Sequence, residues 1–125
     1  MIDFNNKTLI KLKEANVEEG IQVVADILVE DENVLAYFVS MRDSLVFTNK
    51  RIISVNVQGI TGKKVDYTSI PYSKIQAFSI ETAGTLDLDS ELSVTVSGIG
   101  TIKFCLKDSS NIKALGRNIG KYILK

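Results

Sequence analysis

Residues 92–123 read LSVTVSGIGTIKFCLKDSSNIKALGRNIGKYI, and this stretch decides the fold because its hydrophobic period changes once, from two to about 3.6. Leu92, Val94 and Val96 alternate with Ser93, Thr95 and Ser97, the pattern of a half-buried strand. Gly98-Ile99-Gly100 reverses the chain. Ile102, Phe104 and Leu106 then point one way, and Thr101, Lys103, Cys105 and Lys107 the other. Past Lys107, Asp108-Ser109-Ser110 offers several N-cap oxygens. Ile112, Leu115, Ile119, Tyr122 and Ile123 follow as one helical stripe, with Lys113, Arg117 and Lys121 facing away.

Upstream, the same alternation recurs. Lys74 to Thr82 sets Phe78 and Ile80 against Ile75 and Ala77; Val65 and Tyr67 mark a strand ending near Pro71. Within Arg51 to Gln58, Ile53, Val55 and Val57 alternate with Ser54, Asn56 and Gln58. Leu45 to Thr48 and Val34 to Met41 complete the set, with turns at Arg42-Asp43-Ser44, Asn49-Lys50, Gly59–Gly62 and Ala83–Ser90. Seven strands and one terminal helix predict a mainly β, α+β architecture, a seven-stranded antiparallel barrel capped by the C-terminal α-helix. An open sheet would leave one face and two edges in water, and a helix across one mouth of a barrel removes most of that exposure. Before the strands, Asn16 caps a helix, with Glu19 completing a capping box, and Val17, Ile21, Val24 and Leu28 form its apolar stripe. Phe4, Leu9 and Leu12 predict a further short helix. The reading is an N-terminal helical extension over 1–30 and one domain over 31–125.

Several segments are similar to the bacterial pleckstrin-homology (PH) domains, a family long catalogued as of unknown function. They are Arg42-Asp43 with Val46-Phe47-Thr48 and Lys50-Arg51; QGITGKKVDY at Gln58–Tyr67; SIPY at Ser69–Tyr72; and FSIETAGTLDLDSEL at Phe78–Leu92. The resemblance implies the PH-like fold, no catalytic residues, and symmetric ring-like oligomers built through sheet surfaces. Eukaryotic relatives hold inositol phosphates with several cations around the first hairpin. Here that tip is Ser40-Met41-Arg42-Asp43-Ser44, one cation beside one anion, so the lipid site does not carry over.

Composition narrows the function further. The 125 residues contain no histidine, which removes the commonest neutral-pH base, every Ser-His and Cys-His pair and the commonest zinc ligand. No enzymatic activity, metal or cofactor is expected. Fifteen basic residues balance fifteen acidic ones, without the positive excess of a nucleic-acid binder. One cysteine, no apolar run of membrane-spanning length and no secretory pattern at Met1–Leu12 predict a cytoplasmic protein.

Among local motifs, Gly59–Gly62 with Lys63-Lys64 has neither the spacing nor the following helix of a phosphate loop, and reads as a hairpin turn. Asp87, Asp89 and Glu91 alternate like calcium ligands but lack the loop's later glycine and glutamate. Cys105, between Lys103 and Lys107, reads as a passive small residue. Lys50, Arg51, Lys63 and Lys64 are candidate contacts for an anion or acidic partner, set at opposite ends of one strand. The strand from Val34 is apolar on both faces: Val34, Ala36 and Phe38 fill the barrel, and Leu35, Tyr37, Val39 and Met41 lie outside. Either the N-terminal helix or another subunit covers that outer row, which makes it the candidate oligomer interface. The expected function is a non-enzymatic interaction or scaffolding module that self-associates and meets an unidentified protein partner. The alternative is a peripheral module for membrane, lipid or anion.

Overall fold

The computed structural model describes residues 1–4, 8–107 and 111–125. The alternating stretches form β2 (Val34–Val39), β3 (Asp43–Thr48), β4 (Arg51–Gln58), β5 (Lys64–Pro71), β6 (Ile75–Glu81), β7 (Ser90–Val96) and β8 (Gly100–Lys107). Helix α1 (Val17–Val24) precedes them and α2 (Ile112–Ile123) closes the chain. Asn16 caps α1 as expected, its Oδ1 accepting from Glu18 N at 2.8 Å. The capping oxygens expected at Asp108–Ser110 lie outside the described residues.

Three expectations are corrected. Thr8–Ala15 is a strand, β1, where Leu9 and Leu12 had predicted a short helix with Phe4. Its pairing with β8 shifts register between Leu9 and Leu12, and Lys11 sits there at φ 57°. Such a bulge breaks strict alternation and leaves a three-residue spacing that mimics a helix. The second correction follows from the first. The strands form one open eight-stranded sheet, ordered β5-β4-β3-β2-β1-β8-β7-β6, and not a closed barrel of seven. β1 runs antiparallel to β2 and parallel to β8, bridging the two halves, while β5 and β6 remain as edges joined by the 3-10 turn Tyr72–Lys74.

Two apolar layers hold the sheet. On the concave side Leu12, Phe38, Phe47, Ile52, Leu92 and Phe104 pack with Ile112, Leu115 and Ile119 of α2, so the terminal helix covers the interior as its periodicity predicted. On the convex side Val24 of α1 packs with Tyr37, Val46, Ile53 and Val55. Gly20 lets α1 lie close to the sheet: a Cβ there would stand 2.7 Å from Tyr37 Cβ. A second bulge, between Val34 and Ala36, corrects the face assignment in β2. Val34 joins the convex layer with Val39, while Ala36 and Phe38 stay concave.

Candidate functional site

The convex face is covered only in part. α1 lies over Tyr37, and burial pushes that hydroxyl's pKa above the ordinary tyrosine value. Beyond α1 the sheet carries a depression of about 310 Å³ walled by Val23, Val39, Val55, Val57, Val65 and Tyr67, with Met41, Arg42 and Asp43 at its rim. Strand register builds this wall: Val55 stands opposite Tyr67 and Val57 opposite Val65 on the paired β4 and β5. Met41 is 100% exposed and Tyr67 43% exposed, large apolar groups left in water. Of the candidate interface residues, Tyr37 is therefore buried under α1, Leu35 and Val39 are half-buried, and Met41 is free.

The tip beside the depression is stiffened from within. Arg42 NH1 donates to Val57 O at 3.3 Å and Gly59 O at 3.0 Å, tying the β2–β3 turn to the β4–β5 turn. Asp43 Oδ1 accepts from Asn56 Nδ2 at 2.8 Å, so the hairpin's cation and anion face different partners. Gly59 and Gly62 have φ of 75° and 68°, the left-handed backbone expected of a glycine turn. Ile60 between them is fully exposed.

The four candidate cations separate into two kinds. Arg51 turns inward: Nε donates to Glu32 Oε2 at 2.8 Å, NH2 to Glu32 Oε1 at 2.9 Å and Ile27 O at 2.6 Å, and NH1 to Ser69 Oγ at 2.9 Å. The Glu32 side chain is wholly buried and also accepts from Thr48 Oγ1 at 2.7 Å and Val29 N at 3.0 Å. Burial works to raise its pKa, but the bonds from Arg51, Thr48 and Val29 outweigh it and hold the carboxyl below the ordinary glutamate value. This clasp ties the segment after α1 to the β3–β4 turn. Nothing in the acidic run Glu30-Asp31-Glu32 distinguishes the buried member, so sequence reasoning missed it. Lys50, Lys63 and Lys64 are exposed. Lys50 precedes β4 and Lys64 pairs with Gln58 at its far end, so they do not merge into one patch.

The alternating acids do not converge. Glu91 pairs with Lys103 across β7 and β8 at 3.2 Å, whereas Asp87 and Asp89 lie on the β6–β7 loop. Cys105 is half-buried, its Sγ 3.8 Å from Asp89 Oδ2. Among the described residues no metal-ligating cluster occurs, and no helix is long and apolar enough to cross a membrane.

The "Bacterial PH domain" family model matches residues 3–123. The uncharacterized protein YjqA of Bacillus subtilis (strain 168) is 54% identical over 87 residues, covering 70% of this chain and 67% of that protein. Among solved structures, a protein with a pleckstrin-homology domain from Shewanella loihica is 37% identical, with a TM-score of 0.77 over 90% of this chain and 97% of its own. A pleckstrin-homology domain from Shewanella amazonensis is likewise 37% identical, with a TM-score of 0.66 over 90% and 92%.

Proposed function

The chain belongs to the bacterial PH domain family, and from that premise we propose that it is a non-enzymatic interaction module that self-associates into a closed, symmetric ring. The observation that carries this reading is the uncovered part of the convex face, where Val39, Met41, Val57, Val65 and Tyr67 line a depression that α1 borders at Val23 but does not cover. Contiguous apolar surface of this kind favours a protein partner, because burying it recovers about 25 cal/mol per Å². Val39 and Met41 carry the expected interface, while Tyr37 supports it from beneath α1. The lone, half-buried Cys105 suits a reducing, cytoplasmic setting. Size-exclusion chromatography with light scattering tests the proposal: an assembly well above 13.8 kDa is expected at micromolar concentration, and a strict monomer sinks it.

A second reading, peripheral attachment to an anionic membrane, draws on the fully exposed Met41 and Ile60 at neighbouring tips, with Arg42, Lys63 and Lys64 close by. Flotation with anionic vesicles at low salt decides it, since attraction to the surface is strongest there. Protein left at the bottom of the gradient eliminates membrane attachment.

A further inference from the structure

The depression beside α1 is open, and the β6–β7 loop carries apolar groups exposed to water. Leu86 is 100% exposed and Leu88 60% exposed. The loop that presents them is held in shape, with Gly84 N donating to Asp87 O at 2.7 Å and Asp89 N to Asp87 Oδ1 at 3.0 Å. Two leucines fixed in water on an ordered loop lose apolar burial without any return inside their own chain. Resting on the self-association reading, we infer that Leu86 and Leu88 of one copy seat in the depression of a second copy, with Asp87 between them facing Arg42 on the rim.

The two surfaces match in size, polarity and charge. The depression, about 310 Å³, exceeds the roughly 150 Å³ apolar cavity that accepts a benzene, so two leucine side chains fit. Its walls at Val39, Val57, Val65 and Tyr67 are apolar like the knob. Arg42 is anchored over the rim by its bonds to Val57 O and Gly59 O, and no carboxylate among the described residues forms a salt bridge with it. Asp87 supplies one. The knob follows edge strand β6, whereas the depression spans β2 to β5 in the other half of the sheet order. Joining unlike patches makes a heterologous contact, which repeats from copy to copy and closes into a ring where the rotation allows. Pairing depression with depression would instead bring Arg42 against Arg42 and leave the leucines in water.

Two full-length variants test this: a knob variant, Leu86→Ser with Leu88→Ser, and a depression variant, Met41→Asp with Tyr67→Asp. All four positions are exposed, so the fold should survive. With wild type assembled, each variant alone is expected to run as a monomer. Mixed in equal amounts they are expected to form a discrete heterodimer, because one intact knob still meets one intact depression. Heterodimer formation also shows that both variants are folded. A knob variant that assembles like wild type, or a mixture that stays monomeric, overturns the pairing while leaving self-association standing. A monomeric wild type overturns both.

Discussion

Glu32 stands in an acidic run that resembles any solvated loop, yet it is the charged side chain the fold buries most completely among the ion pairs described. Its value lies in being paired: Glu32→Ala would strand the Arg51 guanidinium, only 18% exposed, and is expected to cost about 3 kcal/mol in urea unfolding. The clasp also sets a pH dependence. Glu32 binds protons more weakly folded than unfolded, so it favours folding above the ordinary pKa of 4.5, and that advantage disappears as pH falls through its lower folded value. Below pH 4.5 the wild-type urea midpoint should therefore fall faster than that of Glu32→Gln; parallel curves would rule out the clasp as the cause. Gly20 offers a steric test of the same region. Gly20→Ala places a methyl 2.7 Å from Tyr37 Cβ and is expected to destabilise by about 1 to 3 kcal/mol, although alanine is the better helix former.

At the scale of elements, the strands with unbroken alternation and the helix α2 were legible because side-chain period is a local property that each segment carries alone. Ile102, Phe104 and Leu106 face the core and Thr101, Lys103 and Lys107 face water, as the pattern required. β1 was not legible, because the bulge at Lys11 cancels the period that would have announced it. Lys11 therefore gives a test of opposite signs. In the left-handed conformation at φ 57°, Lys11→Gly relieves backbone strain and is expected to stabilise by about 0.5 to 1 kcal/mol. In a helix the same substitution would destabilise by about 1 kcal/mol. Thermal melts separate the outcomes. The depression was half legible: the doubly apolar β2 pointed to this face, but Val55, Val57, Val65 and Tyr67 enter only because β4 and β5 follow β3 in the same half of the sheet.

For the whole molecule, α2 is the cover over the concave core. Ending the chain after Ser110 removes Ile112, Leu115 and Ile119, each buried and worth roughly 1.5 to 3 kcal/mol, against a total stability of roughly 5 to 15 kcal/mol. Loss of the cooperative melting transition is expected; retention of it would mean that the helix is dispensable. If the chain assembles, its thermal midpoint should rise with protein concentration, since association stabilises the folded state by mass action. By itself the sequence determined which segments alternate, where the chain turns, that a helix ends it, and that general-base chemistry through histidine is closed to it. Only the tertiary structure decided that β1 enters the sheet between β2 and β8, that the sheet stays open, that Glu32 and Arg51 meet, and which part of the convex face α1 leaves bare. Periodicity is written within a few neighbouring residues, whereas these outcomes depend on contacts between segments far apart in the chain, whose choice of partner no local pattern encodes.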